Sequence, residues 1–127
     1  MTDAIRVVRE SSQSFPFQKL DVYVAARALA ALVHRLAIRD AELRDQATRA
    51  AKSAFLNLCE GLPDDRPAMR RKYFRQSDGS LHETAGAVDL AAAIGAVAAD
   101  RAAEVLALAA RVRAMLRGLM RAGGRGR

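Results

Sequence analysis

The chain has 127 residues, of which 51% are hydrophobic but only 5% aromatic. This length supports one domain with a single core. Alanine supplies much of the apolar total, which favours packed helices over sheets built from β-branched and aromatic residues. One cysteine excludes an internal disulfide framework. The N-terminal residues lack a signal-peptide pattern, and no run approaches the roughly 20 apolar residues of a membrane span, so we expect a cytoplasmic protein.

The charge is strongly basic and unevenly distributed. Lysine and arginine number 21 against 14 acids, which gives a formal net charge of +7. One basic cluster follows the central prolines and comprises Arg66, Arg70, Arg71, Lys72 and Arg75. The other lies in the acid-free C-terminal segment and comprises Arg111, Arg113, Arg117, Arg121, Arg125 and Arg127. Such clusters attract phosphates through counterion release, but they equally fit the solvated faces of an arginine-rich chain.

Residues 1–17 are predicted to be a flexible N-terminal segment, because serines and Pro16 interrupt regular structure. A first helix is predicted from about Lys19 to Ile38. Arg27, His34 and Arg35 form its solvated strip. Its apolar residues lie around most of its circumference: Leu20, Val22, Val24, Leu29, Leu32, Val33 and Leu36. A helix that is apolar on several sides is buried on several sides, so this pattern indicates an oligomer.

A second helix is predicted from Asp40 to Gly61, with the glycine as its C-terminal cap. Residues 62–67 form the central loop. Asp64 or Asp65 is positioned to cap the third helix, with the following proline in its first turn.

The third helix is predicted from about Arg66 to Ala98 and passes through an Asp-Gly pair. Helical spacing continues across this pair, and Gly79 and Gly86 are expected to let neighbouring helices approach closely. The fourth helix is predicted from about Asp100 to Met120. Its apolar stripe has heptad spacing and comprises Val105, Leu108, Val112, Met115 and Leu119.

Four helices joined by short loops predict an all-α, antiparallel up-and-down four-helix bundle over residues 18–121. Residues 122–127, AGGRGR, contain no residue that could form a core and are predicted to be a disordered basic tail.

Three groups of residues carry a resemblance to a known family. They are Phe17, Leu20, Val22 and Ala25; Ser53, Asn57, Glu60 and Gly61, in the pattern S-x-x-x-N-x-x-E-G; and Gly79, Ser80, Leu81 and Glu83, in the pattern G-S-L-x-E. The chain resembles the four-helix bundle proteins encoded in intervening sequences of bacterial large-subunit ribosomal RNA genes. It departs from them at Tyr23, Phe55 and Asp78, and the last departure weakens any basic surface nearby.

The resemblance implies a homo-oligomer, with a pentamer favoured because members of related structure form pentamers. Such an assembly would repeat each arginine cluster around a ring. Related bundles also serve as accessory subunits of reverse transcriptases in diversity-generating elements, and this likeness makes RNA or an RNA–DNA hybrid the first ligand to expect.

The motif residues also predict a polar seam between the second and third helices. Ser53, Asn57 and Glu60 share one helix face, and Ser80 and Glu83 share another. Buried amide and carboxylate groups need partners, or each costs several kcal/mol (~2–7). We expect these partners from neighbouring polar side chains: Arg49, Lys52, His82 and Thr84. Such a seam fixes helix register.

No pattern indicates catalysis. Cys59, Glu60, His82 and Glu83 do not form the Glu-x-x-His pairs of helical di-iron sites, and a cysteine with one histidine is more often core packing than a zinc site. Ser80 and His82, two residues apart on a helix, face different directions. We therefore expect no enzyme, no metal site and no cofactor.

The sequence favours nucleic-acid binding, RNA above all, through surface cations. The candidate residues are Arg66, Arg70, Arg71, Lys72, Arg75, Arg113, Arg117 and Arg121. The alternative is a protein-interaction scaffold, or an accessory subunit of a larger complex such as a reverse transcriptase, in which the arginines meet an acidic partner protein.

Overall fold

The computed structural model describes Phe15 and residues 20–125, with side chains up to Gly123. The four helices in this part of the chain are α1 (Asp21–Arg35), α2 (Ala41–Gly61), α3 (Pro67–Ala93) and α4 (Ala99–Arg125). The predicted all-α class is confirmed. The segment 1–17 lies outside the described residues except for Phe15. None of these four helices combines the length and apolar character needed to cross a membrane.

The helices form an up-and-down bundle. Helix α2 packs against α1 and α3, and α4 packs against the same two, while the described parts of α1 and α3 lie diagonally opposite without contact. The α1–α2 and α3–α4 loops meet at one end, where the Arg39 amide donates to the Ala96 carbonyl at 2.8 Å. The α2–α3 loop lies at the other end. Successive helices are therefore antiparallel, as predicted.

Small side chains bring α2 close to its neighbours. Its buried residues are Ala47, Ala50, Ala51, Ala54, Leu58 and Gly61. Helix α4 turns a slightly different stripe inward from the one predicted, namely Ala102, Val105, Ala109, Val112 and Leu116. Leu108, Met115 and Leu119 are only half-buried, because the alanines at 102 and 109 provide the closer contact surface.

Two helices end earlier than predicted. Helix α1 stops at Arg35 because Leu36 has an extended backbone, and both Leu36 and Ile38 enter the core from the loop. Helix α3 stops at Ala93 because Gly95 adopts φ +77°. The Ala96 amide bonds the Ala91 carbonyl at 2.8 Å and the Gly95 amide bonds that of Ala92 at 3.1 Å. This is a Schellman ending, for which glycine is the favoured residue.

Helix α4 continues beyond Met120 to Arg125, so most of the segment assigned to a disordered tail is helical. Glycine in a helix costs only about 1 kcal/mol relative to alanine. The last turns of this helix face the α2–α3 loop across a cavity that Met120, Ala122 and Gly123 line.

The glycines have roles different from those predicted. Gly61 is the last helical residue of α2, and a Cβ there would lie 2.7 Å from Cε1 of Phe74. It permits close contact between α2 and α3. Gly79 and Gly86 are exposed, and an added Cβ at either would meet nothing within 4 Å. The prediction that these two allow helices to approach was wrong.

The contrast between Gly61 and Gly79 gives a matched test of this packing. We expect Gly61→Ala to lower the free energy of unfolding by about 1–3 kcal/mol, because the buried Phe74 ring must move. Gly79→Ala should raise it by about 1 kcal/mol through helix propensity alone. Urea denaturation of both variants measures the difference. Equal effects of the two substitutions would show that the Gly61 contact is not tight.

Candidate nucleic-acid interface

The polar seam joins α2 to α3 through hydroxyl and amide groups. The Ser80 hydroxyl donates to Oγ of Ser53 at 2.8 Å. The Asn57 amide donates to the carbonyl and to Oγ of Ser53, at 2.9 and 3.1 Å. Ser53 therefore links both helices, and its neighbours satisfy its polar atoms.

Ser77 extends the seam and was missed in the sequence. Its buried hydroxyl donates to the Ala54 carbonyl at 2.7 Å, across the two helices. The signal was its position three residues before Ser80, on the same helix face. Thr84 is also buried but bonds the Ser80 carbonyl of its own helix at 2.8 Å.

The carboxylates predicted for the seam lie outside it. Glu60 and Glu83 are exposed, and Glu83 accepts from Nε2 of Gln46 at 3.0 Å. Solvent hydrates exposed carboxylates, so they need no buried partner. Arg49 instead bonds the Asp45 carbonyl and Oε1 of Gln46. His82 contacts the carbonyl of Asp78, and Lys52 is exposed.

This register brings the two basic clusters together. Arg71 and Arg75, from the first turns of α3, lie opposite Arg117 and Arg121, from the last turns of α4. With Met120 these four arginines line a cleft of about 280 Å³, here called the arginine groove. Residues separated by more than 40 positions thus share one surface, because α3 and α4 are antiparallel neighbours.

The arginine groove is a site of uncompensated positive charge. Its four arginines are exposed, and none forms a hydrogen bond or ion pair with any residue that the structure describes. Among the residues that the structure describes, no carboxylate lines the groove. Like charges held close together raise the local potential and favour an anionic ligand. Lys72 is also exposed on α3 but does not line the groove.

Arg66 is instead engaged within the α2–α3 loop. Its guanidinium bonds both carboxylate oxygens of Asp64, at 3.0 and 2.8 Å, and its amide donates to the same carboxylate at 2.9 Å. These hydrogen bonds lower the pKa of Asp64 to about 2. Arg66 is also the N-cap residue of α3, without a side-chain bond to the helix. The prediction that Asp64 or Asp65 caps α3 was therefore wrong.

Arg70 connects the end of α2 to α3 through its side chain. Its guanidinium donates to the Gly61 carbonyl at 3.0 Å and to the Leu62 carbonyl, at the C-terminal end of α2. The same group lies 4.8 Å from the centre of the Phe74 ring. A cation that bonds terminal carbonyls stabilises a helix end. Arg70 thereby joins the helices that Gly61 and Phe74 bring together.

Arg113 is neutralised by an ion pair. Its Nε lies 3.2 Å from Oδ1 of Asp78, across the α3–α4 contact. This pair removes one cation from the surface next to the arginine groove. Of the eight candidate binding residues, the structure thus brings Arg71, Arg75, Arg117 and Arg121 into one site.

No cluster of metal-ligating side chains accompanies the groove in the described part of the chain. No group of three or more His, Cys, Asp or Glu side chains there could hold a metal ion. Cys59 is half-buried, and burial, followed by the charge of Glu60, raises its thiol pKa.

Comparison with models of known protein families finds one match. The family model of the 23S rRNA-intervening sequence protein matches residues 18–118. The chain belongs to the 23S rRNA-intervening sequence protein family. The predicted resemblance is confirmed. A search of curated proteins finds no match.

The family match includes most of the arginine groove. Residues 18–118 contain α1 to α3, the polar seam and α4 as far as Gly118. Arg71, Arg75 and Arg117 lie within this 23S rRNA-intervening sequence protein region, whereas Arg121 lies just beyond it.

The Ser53–Ser80 bond can be measured with a double-mutant cycle. We expect Ser53→Ala and Ser80→Ala each to destabilise the bundle, with a coupling energy of about 0.5–1.5 kcal/mol because both remove the same hydrogen bond. Urea denaturation of the two single variants and the double variant measures this coupling. Strictly additive effects would show that the hydroxyls do not interact in solution.

Proposed function

We propose that this 23S rRNA-intervening sequence family protein is a non-enzymatic homo-oligomer that binds RNA through the arginine groove. The observation that supports this function is the convergence of Arg71, Arg75, Arg117 and Arg121 without a neutralising carboxylate. Membership of the family suggests a protein associated with ribosomal RNA.

Phosphate is the chemical group that suits the groove. Each guanidinium presents several N–H donors in a plane that matches phosphate oxygens. Four such groups on two rigid helices neutralise several phosphates of one strand and release their counterions. Contacts of this kind position a nucleic acid without reading its sequence.

The aromatic residues of α1 and α2, together with Phe74 of α3, fit backbone binding better than stacking on an open platform. Tyr23 packs on Phe55, with ring centroids 5.3 Å apart, and Phe74 is buried. These rings belong to the core and its rim. An RNA-recognition sheet, by contrast, exposes its aromatic residues to the bases.

Removal of two groove charges should weaken RNA binding selectively. We expect Arg75→Gln/Arg117→Gln to lower the affinity for RNA and to reduce the slope of log K against log salt by about 1.4, since each lost phosphate contact contributes ~0.7 on single strands. Fluorescence anisotropy over a salt series measures both quantities. Arg27→Gln/Arg35→Gln is the matched control, because it removes the same charge from exposed positions on α1.

Asp78→Asn should have the opposite effect, because it frees Arg113 with little change in shape. Equal losses in the groove and control variants would indicate attraction to net charge alone. Absence of RNA binding at low salt, with self-association retained, would favour the scaffold function instead.

Self-association is the second part of the proposal and is supported by exposed apolar side chains. Leu20, the N-cap residue of α1, lies one turn from Val24, and the two are here called the α1 patch. Ile94, the C-cap residue of α3, lies one turn from Leu90, and the two are called the α3 patch. Val24, Leu90 and Ile94 are each more than half exposed.

The two patches differ and lie at opposite corners of the bundle. Helices α1 and α3 are diagonal, and the patches are at opposite ends of the bundle axis. Contact between two different surfaces of identical subunits is heterologous, and such contacts generate a closed ring when the rotation permits. A pentamer fits this expectation. A ring would also repeat the arginine groove and multiply weak phosphate contacts.

Complementary variants test the heterologous contact. We expect the unaltered protein to sediment as an oligomer, while Val24→Glu and Leu90→Glu each give monomers, because a charge enters the contact. Mixing the two variants should give a dimer, since one intact α1 patch can meet one intact α3 patch. Sedimentation velocity measures the assembly state of the unaltered protein, of each variant and of the mixture. A folded monomer of the unaltered protein, or a mixture that remains monomeric, would contradict this arrangement.

A further inference from the structure

A larger cavity adjoins the arginine groove at the same end of the bundle. Its volume is about 530 Å³, and it lies between the α2–α3 loop and the last turns of α4. Its apolar wall includes Leu62, Phe74, Leu119 and Met120. Arg71 and Met120 line both the cavity and the groove, so the two spaces lie side by side.

We propose that this end cavity receives one unpaired nucleobase of a strand whose phosphates lie in the arginine groove. The inference rests on the proposed RNA binding and adds that the ligand is single-stranded at this point. A base held in a duplex could not enter without leaving its stack.

The charged residues that line the two spaces explain why the phosphates are assigned to the groove and the base to the cavity. The described lining of the groove contains four arginines and no acid, whereas Asp64 and Asp65 line the cavity. Carboxylates repel phosphate but accept hydrogen bonds from the N–H groups of a base. Asp64 is already bonded to Arg66, so the exposed Asp65 is the available acceptor.

Arg70 supplies a surface that a planar ring can use. Arg70 lines the cavity, and its guanidinium is held by the Gly61 and Leu62 carbonyls on the near side of the Phe74 ring. Bases stack on arginine planes as they do on aromatic rings. A guanidinium whose position is already fixed loses little freedom when a base stacks on it. The apolar walls shield the remaining ring surface from water.

Partial filling of the cavity with aliphatic side chains tests the proposal. Ala122 and Gly123 line the cavity, and a Cβ at Gly123 meets nothing within 4 Å. The test variant is Ala122→Leu/Gly123→Leu, which adds volume without charge or a ring face. The control is Ala103→Leu/Ala107→Leu, at exposed positions of the same helix that do not line the cavity. Thermal melting checks that both variants are folded.

The probes are a ten-nucleotide single-stranded RNA carrying one 2-aminopurine and a blunt RNA duplex of the same length. We expect the cavity variant to lose about tenfold in affinity for the single strand, the range of one stacked base. Its affinity for the duplex should change less than about twofold, because phosphate contacts remain. The unaltered and control proteins should change the 2-aminopurine fluorescence, and the cavity variant should not.

Failure of this inference differs from failure of RNA binding. If the unaltered protein binds both probes in a salt-dependent way and filling the cavity alters neither, the base site is refuted while the groove stands. Equal losses for both probes would also refute a base site, since a duplex has no free base to insert. If the unaltered protein binds neither probe at low salt, both proposals fall. A changed sedimentation coefficient with unchanged RNA binding would assign the cavity to subunit contact and overturn the proposal.

Discussion

The close contact between α2 and α3 is the constraint on which the rest of the structure depends. Alanines on α2 and Gly61 leave room for the Phe74 ring, and the Ser53–Ser80 bond fixes the register. Neither feature alone specifies how α2 packs on α3. Apolar contact is non-directional, and a single hydrogen bond contributes only about 0.5–1.5 kcal/mol. Together they specify both how near the helices lie and how far each is displaced along the other.

The proposed RNA binding depends on this register through the position of α3. Helix α3 carries Arg71 and Arg75 on its first turns, and these meet Arg117 and Arg121 because α4 returns antiparallel. The protein also limits which cations remain available. Asp64 bonds Arg66, Asp78 bonds Arg113, and the loop carbonyls bond Arg70. The arginines that remain uncompensated among the candidates are concentrated in one groove rather than spread over the surface.

The sequence predicted the helices, their order and the polar motif, but not the phase of every stripe. On α4, Val105 and Val112 belong both to the predicted stripe and to the one observed. Apolar residues flank them on both sides, so only the packing of Ala102 and Ala109 decides the phase. The outward position of Leu90 was available in the sequence, since it lies two residues from the buried Val88 and therefore on the opposite side of α3. The sequence also contained the helix-terminating signal of Gly95, but the predicted third helix continued past it to Ala98.

The candidate site was predictable as composition but not as geometry. The sequence identified Arg71, Arg113 and Arg117 equally, yet Asp78 pairs with Arg113 across 35 positions of sequence. Such a pairing depends on the relative displacement of α3 and α4, which no local pattern reports. The same displacement places the cavity beside the groove, since its walls come from the α2–α3 loop and the end of α4. The arginine groove and the apolar cavity therefore lie side by side only through tertiary packing, and any change that shifts α3 along α2 alters both together.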